Sequence, residues 1–150
     1  MKYRIAICDD MEEDVKYISS MVNMWAEKEN ITVAIETFPS AESFLFRYAE
    51  QKAFDVLLLD IEMPSMSGIE LAKRIRKEDD AVQIIFITGY TDYIAEGYEV
   101  FALHYLVKPL SETKLFEVLN RAVFKIRKNE KSGEKKRGTD KGKMRSNIFG

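Results

Sequence analysis

The chain has 150 residues, which is the length of one domain or of one domain with a tail, and 23 Lys and Arg nearly balance 25 Asp and Glu. A hydrophobic share of 46% excludes wholesale disorder, and no apolar stretch approaches the roughly 20 residues of a membrane span. One cysteine, Cys8, and one histidine, His104, exclude an internal disulfide, a zinc site of several cysteines and a multi-histidine metal site. A single thiol and no secretion signal predict a cytoplasmic location.

The charge is distributed unevenly along the chain. Residues 125–150 contain ten basic and three acidic residues, a net charge of +7, whereas residues 1–124 contain 13 basic and 22 acidic residues, a net charge of −9. After Asn129, apolar residues are too rare to offset the entropy lost on ordering. We therefore predict a folded domain over residues 1–127 and a basic, disordered tail or linker over residues 128–150. Two interpretations of this tail stay open: a solvated linker, native or added, and a basic arm that contacts nucleic acid.

The apolar pattern predicts alternating strands and helices. Apolar and β-branched runs mark strands, and apolar residues that recur every three to four positions mark helices. In chain order we predict a strand over 3–8, a helix over 11–28, a strand over 31–37, a helix over 40–50, a strand over 54–60, a helix over 68–77, a strand over 82–88, a helix over 92–98, a strand over 103–107 and a helix over 111–127. Five such units with short connections predict an α/β fold, a doubly wound five-stranded parallel sheet of order 2-1-3-4-5.

Polar residues stand at the carboxyl ends of four predicted strands. These residues are Asp9 and Asp10 after strand one, Asp60 at the end of strand three, Thr88 at the end of strand four and Lys108 after strand five. Because ligands of open α/β sheets bind at this edge, we expect the five side chains to lie together. A Mg²⁺ ion relieves the repulsion between clustered carboxylates, and an ammonium and a hydroxyl can hold a phosphoryl group. The set predicts phosphoryl transfer to a carboxylate.

Each of these residues alone has an ordinary structural explanation. An acid after a strand can cap the next helix, a threonine can simply end a strand, and a lysine is most often exposed. Their conjunction in this order is what favours a functional site.

The conjunction resembles the receiver domain of bacterial two-component response regulators over residues 1–127. The matching stretches are IAICDD, DVLLLDIEMPSMSGIELAKRIR, IIFITGY and FALHYLVKP. The resemblance implies a flavodoxin/CheY-like three-layer sandwich in which Asp60 accepts a phosphoryl group from a sensor histidine kinase. It also implies that Asp10 and Asp60 bind Mg²⁺ directly, that Asp9 binds it mostly through water, and that the backbone carbonyl of Glu62 completes the protein ligands.

The same resemblance implies roles for the remaining residues. Thr88 would bond one phosphoryl oxygen, Lys108 would pair with another, and the bond between Lys108 and Pro109 would be cis. Thr88 and Tyr105 would form a switch in which Tyr105 rotates inward after phosphorylation. The surface of the fourth helix, fifth strand and fifth helix would then control a phosphorylation-dependent homodimer or another partner. The alternative for Tyr105 is an ordinary aromatic residue of an edge strand.

The stretch FALHYLVKPL, preceded by TDYIAEGYEV, resembles receivers that carry a LytTR-type DNA-binding output domain and regulate transcription. His104 departs from the acid that is usual at its position. It is either a solvent-facing histidine of an edge strand or a pH-sensitive group beside the switch surface. We expect DNA to be bound only through an output domain outside this chain, and we expect no membrane partner.

Three functions remain open from the sequence. The first is a phosphorylation-dependent signalling switch, whose only chemistry is self-catalysed phosphotransfer and autodephosphorylation at Asp60. The second is a Mg²⁺-dependent phosphohydrolase with an Asp nucleophile, but such enzymes place the nucleophile and a second acid on strand one. The third is a receiver-like binding module that is not phosphorylated, and the intact set of five polar residues argues against it. We predict the switch and not an enzyme.

Overall fold

The computed structural model of the protein describes residues 2–137, with side chains to residue 131. Within these residues five strands and five helices alternate. The strands are β1 (Lys2–Cys8), β2 (Thr32–Phe38), β3 (Val56–Leu59), β4 (Gln83–Thr88) and β5 (His104–Val107). The helices are α1 (Glu12–Glu29), α2 (Ala41–Glu50), α3 (Gly68–Arg76), α4 (Ile94–Glu99) and α5 (Glu112–Arg137). All ten predicted elements are therefore present.

The five strands form one parallel sheet in the order β2-β1-β3-β4-β5. The register pairs Cys8 of β1 with Leu59 of β3, and Thr88 of β4 with Val107 of β5. These strands consequently end at the same edge of the sheet, and the residues that follow them emerge side by side. The predicted sheet and its strand order are confirmed.

Two apolar clusters cover opposite faces of the sheet. Ile5 and Ile7 of β1 pack with buried residues of α1 and α5. Ala6 and Cys8, each one position further along, pack with buried residues of α2 and α3. This alternation arises because successive side chains of a strand point to opposite faces, and a parallel sheet is stable when both faces are covered. The three-layer sandwich is confirmed, with Cys8 in its core.

A hydrogen bond fixes α1 against α5. Trp25 is fully buried in α1, and its Nε1 donates to Oδ1 of Asn120 in α5 at 2.9 Å. A buried indole N–H needs such a partner, because leaving it unpaired costs the desolvation energy of the group. The contact therefore fixes how the two helices lie relative to each other on this face of the sheet.

Serine side chains begin three of the helices. The Oγ atoms of Ser40, Ser67 and Ser111 each accept a hydrogen bond from the backbone N–H three residues further on, at 3.0, 3.2 and 3.3 Å. Ser40 and Ser67 complete capping boxes in which the third residue bonds back to the cap. Such caps satisfy N–H groups that the first helical turn leaves open. The predicted starts of α2 and α5 have this physical cause.

The ends of nine elements lie within two residues of the prediction, and the large difference is at the end of α5. β3 begins at Val56, two residues later than predicted, although the N–H of Asp55 already donates to the carbonyl of Arg4 at 2.9 Å. α5 continues to Arg137, ten residues past the predicted end near Arg127. Lys, Glu and Arg are good helix formers, so the helix does not need apolar contacts in order to continue. Residues 138–150 of the predicted tail lie outside the described residues.

Between residues 2 and 137, no helix combines the length and the apolar character that crossing a bilayer requires.

Candidate functional site

Three carboxylates meet at the carboxyl edge of the sheet. Asp9 and Asp10 follow β1, and Asp60 follows β3. One oxygen of each lies within 4.8 Å of an oxygen of the other two. Asp9 and Asp60 are only 2% and 6% exposed, whereas Asp10 is exposed. The structure thus brings these predicted site residues together, with one of the three open to water.

Backbone contacts hold the two buried carboxylates in place. The N–H of Asp60 donates to the carbonyl of Cys8 at 2.9 Å, which continues the ladder one residue past β3. Oδ1 of Asp9 accepts from the N–H of Met11 at 2.9 Å, and Oδ1 of Asp60 faces the N–H of Glu62 at 3.4 Å. Each carboxylate is therefore oriented by the loop that follows it.

Lys108 follows β5 and lies among carboxylates. Its Nζ donates to Oδ2 of Asp9 at 2.8 Å and to Oδ2 of Asp60 at 3.2 Å. A third bond, of 2.7 Å, goes to Oδ2 of Asp14 in the first turn of α1. The bond between Lys108 and Pro109 is cis, as the resemblance implies. An ammonium has three N–H groups, so each of them has a carboxylate partner.

Burial and charge perturb the ionisation of two of these groups. Burial is the main cause that raises the pKa of the Asp9 carboxyl, and the hydrogen bond from Lys108 opposes it. Burial also acts to lower the pKa of Lys108, but the bonds to Asp14 and Asp9 and the charge of Asp60 outweigh it and hold that pKa above its usual value. Lys108 consequently stays protonated at neutral pH.

The predicted switch residues are joined through the backbone of Tyr90. Thr88 is fully buried at the end of β4, and its Oγ1 accepts from the N–H of Tyr90 at 3.3 Å. The carbonyl of Tyr90 accepts from the hydroxyl of Tyr105. The half-buried ring of Tyr105 packs on Phe86, with 6.0 Å between ring centroids. A continuous chain of contacts therefore leads from the end of β4 to the surface of β5.

Glu62 and His104 both lie at the surface. Glu62 is exposed, and its backbone N–H faces Asp60. His104 is exposed at the amino end of β5, whereas the carboxylates lie at the carboxyl edge. Nη1 of Arg121 lies 3.4 Å from its Nδ1.

Asp14 was not predicted from the sequence. Taken alone, it is one of three acids in the first turn of α1, where negative charge favours the helix dipole. No sequence signal distinguished it from Glu12 and Glu13, since Asp10 precedes α1 and its spacing from Asp14 is not a spacing within a helix. Its partner Lys108 is 94 residues away, which no local pattern reveals.

The chain is similar to known proteins over most of its length. The family model described as the response regulator receiver domain matches residues 5–120. The sensory transduction protein LytT of Oceanobacillus iheyensis is 34% identical over 126 residues, which are 81% of this chain and 48% of LytT. The chain spans about half the length of the curated relatives it matches.

Solved receiver structures have the same fold. The BeF3-activated receiver domain of DrrB, a response regulator of Thermotoga maritima, is 26% identical with a TM-score of 0.67, covering 82% of this chain and 98% of that one. The chemotaxis protein CheY4 of Vibrio cholerae is 27% identical with a TM-score of 0.65, covering 81% and 99%. Similarity in sequence and in structure thus leads to the same group of proteins.

Proposed function

Because the chain belongs to the response regulator receiver domain family, we propose that it is a phosphorylation-dependent signalling switch of a two-component system. Its acceptor is Asp60, and its phosphoryl donor is a phosphohistidine of a sensor histidine kinase. The observation that carries this proposal is the meeting of Asp60 with two further carboxylates and the Lys108 ammonium at one edge of the sheet.

The donor set fits a hard divalent cation. Three carboxylates offer only oxygen atoms within 4.8 Å of one another, and the exposure of Asp10 leaves room for water ligands. We propose Asp10 and Asp60 as direct ligands of Mg²⁺, Asp9 as a ligand mostly through water, and the backbone carbonyl of Glu62 as a further ligand. When bound, the ion would neutralise charge that develops on the phosphoryl oxygens.

The chain's own residues would hold the acceptor and the transferred group. An oxygen of Asp60 bonds to phosphorus while the P–N bond of the phosphohistidine breaks and the imidazole leaves. Lys108, protonated and 3.2 Å from Asp60, would pair with one phosphoryl oxygen, and the hydroxyl of Thr88 would donate to another. Attack of water on phosphorus then breaks the bond between phosphorus and the Asp60 oxygen, which releases inorganic phosphate and restores the carboxylate. This self-catalysed transfer and autodephosphorylation are the only chemistry we propose, without a separate substrate.

The switch would act through Thr88, Tyr90 and Tyr105. If Thr88 moves toward the phosphoryl group, its bond with the Tyr90 backbone changes, and with it the support of the Tyr105 hydroxyl. Tyr105 would then rotate inward and alter the surface of α4, β5 and α5. Tyr98 of α4 and Phe101, which follows this helix, already expose large apolar surfaces. We propose that it controls a homodimer or a LytTR-type output domain that binds DNA and regulates transcription.

We also propose that the chain divides into a folded domain and a tail near residue 127. Ile126 is the last buried side chain among the described residues, so α5 leaves the core near the predicted boundary. Residues 1–127 would be the receiver and residues 128–150 a basic tail or linker. We also propose that the protein is cytoplasmic, as the sequence predicts.

The decisive experiment is the intact mass of the protein after incubation with Mg²⁺ and acetyl phosphate. The wild type is expected to gain one phosphoryl group, and the gain should vanish without Mg²⁺ and in Asp60→Asn. Asp92→Asn, which changes an exposed aspartate outside the cluster, is the matched control and should be phosphorylated normally. An adduct that persists on Asp60→Asn would place the acceptor elsewhere. No adduct on a wild type that binds Mg²⁺ and meets its phosphorylated kinase would favour the binding module.

A further inference from the structure

The Lys108 ammonium and a bound cation would compete for the same oxygen atoms. Lys108 donates to Oδ2 of Asp9 and Oδ2 of Asp60, and both residues belong to the cluster that fits a divalent ion. Two positive charges held a few ångströms apart repel each other strongly in a partly buried site. A cation that enters the cluster therefore weakens two of the three bonds that hold Lys108.

The third bond of Lys108 goes to Asp14, which is not part of the carboxylate cluster. Asp14 lies on α1, and among the described residues the group that meets the metal spacing is Asp9, Asp10 and Asp60, without Asp14. Its distance to Nζ, 2.7 Å, is the shortest of the three, and its side chain is 39% exposed, against 1% for Asp9 and 7% for Asp60. Asp14 can consequently keep its bond to the ammonium while the carboxylates of Asp9 and Asp60 bind an ion.

On the basis of the proposed function, we propose that Asp14 is a positioning residue that acts through Lys108. It serves as the counter-ion that retains the ammonium beside Asp60 when a divalent cation occupies the cluster. α1 holds Asp14 at a fixed place because the helix is anchored on α5 through Trp25 and Asn120. Without Asp14, the ammonium has only Asp9 and Asp60 as partners and must compete with the ion for them.

The consequence is a coupling between Asp14 and Lys108 in the binding of Mg²⁺. Asp14→Asn should weaken Mg²⁺ binding about threefold, the size expected for a partly exposed ion pair. Lys108→Ala should tighten it, because it removes a competing positive charge. In the Lys108→Ala background, Asp14 has no ammonium to hold, and Asp14→Asn should then change the affinity less than about 1.5-fold.

The test is the dissociation constant of Mg²⁺, measured by calorimetry on the full chain. The set comprises the wild type, Asp14→Asn, Lys108→Ala and the double variant. Glu12→Gln is the matched control, since it removes one charge from the same turn of α1 and should have the same small effect in both backgrounds. Asp14→Asn effects that are equal in the two backgrounds would show that Asp14 acts only as a charge, and the proposal would fail. It would also fail if Asp14→Asn had no effect in the wild-type background.

The acetyl phosphate experiment on the wild type separates this inference from the proposed function. A wild type that is phosphorylated, but shows no coupling between the two residues, overturns the inference alone. Coupling in a wild type that is not phosphorylated, even by its kinase, overturns the proposed function alone. A wild type that does not bind Mg²⁺ overturns the inference, whatever its phosphorylation. Circular dichroism of each variant confirms that the compared proteins are folded.

Discussion

The backbone of Tyr90 links Thr88 to Tyr105. Its N–H donates to the Thr88 hydroxyl, and its carbonyl accepts from the Tyr105 hydroxyl. Thr88 is fully buried, whereas Tyr105 is half-buried on β5. A displacement of Thr88 therefore reaches Tyr105 through two hydrogen bonds, without any change in the sheet. Such a local connection can bias a two-state element when both states have similar free energies.

The first prediction concerns this connection. Tyr105→Phe removes the donor to the Tyr90 carbonyl, so the free energy of unfolding should fall by about 0.5–1.5 kcal/mol. The Tyr90 amide should also exchange its hydrogen faster, because the loop loses a support. Urea unfolding and amide hydrogen exchange measure the two effects. Tyr98→Phe removes the same atom from a side chain that is 78% exposed and should change neither. Identical behaviour of the two variants would contradict the connection.

The second prediction concerns the close approach of α3 to Asp60. A Cβ on Gly68 would lie 2.0 Å from the carbonyl oxygen of Asp60 and 3.0 Å from Cα of Ile61. Gly68→Ala must therefore displace the backbone of the acceptor, and we expect a loss of about 1–3 kcal/mol in the free energy of unfolding together with slower phosphorylation. Urea unfolding and intact mass over time give the two readouts.

Gly97→Ala is the control for this substitution. Its Cβ would meet side-chain atoms no closer than 3.6 Å, and alanine favours a helix over glycine by about 0.5–1 kcal/mol. The variant should keep or gain stability. If Gly68→Ala were equally well tolerated, the close approach would have no energetic consequence.

The third prediction concerns Trp25. Trp25→Phe removes buried volume and the hydrogen bond to Asn120, and we expect the free energy of unfolding to fall by about 2–3 kcal/mol. Asn120→Ala removes only the acceptor of the indole N–H and should cost about 1–2 kcal/mol. Chemical unfolding, monitored by circular dichroism, gives the free energy of unfolding of both variants. A cost for Trp25→Phe no greater than that of Asn120→Ala would mean that packing contributes little here.

The fourth prediction concerns pH. Partial shielding of the ring from water, and then the charges of Arg121 and Lys114, hold the pKa of His104 below 6.5, its usual value. Because the folded state binds the proton less tightly than the unfolded chain, the stability contributed by neutral His104 is present above pH 6.5 and is lost as the pH falls below it. His104 is the only histidine, so one NMR signal reports its titration. Arg121→Gln should raise the measured pKa, and a wild-type value of 6.5 or higher would refute the assignment.

The parts of the fold that the sequence predicted are those encoded locally. The apolar runs around Leu57 and Ile85 could be read as strands because both of their faces are buried. Parallel strands end at one edge, so the closeness of Asp9, Asp10 and Asp60 followed from topology alone. The prediction needed no side-chain geometry.

The parts that the sequence did not predict depend on tertiary geometry or on helix propensity. The contact of Asp14 with Lys108 requires a particular rotation of α1 about its axis, which packing around Trp25 sets. The end of α5 was placed at Arg127 because apolar spacing stops there. Helical hydrogen bonds continue to Arg137, since charged residues with good propensity sustain them.

The bonds of Lys108 to Asp9 and Asp14 join residues 99 and 94 positions apart, nearly the full length of the folded body. A nascent chain that has emerged only through β4 already carries its acidic cluster but lacks the cation that neutralises it. Under the proposed function, the phosphorylation site is therefore complete only after β5 has been synthesised and has joined the sheet. A kinase that needs Lys108 in the site would leave chains that end before β5 unmodified.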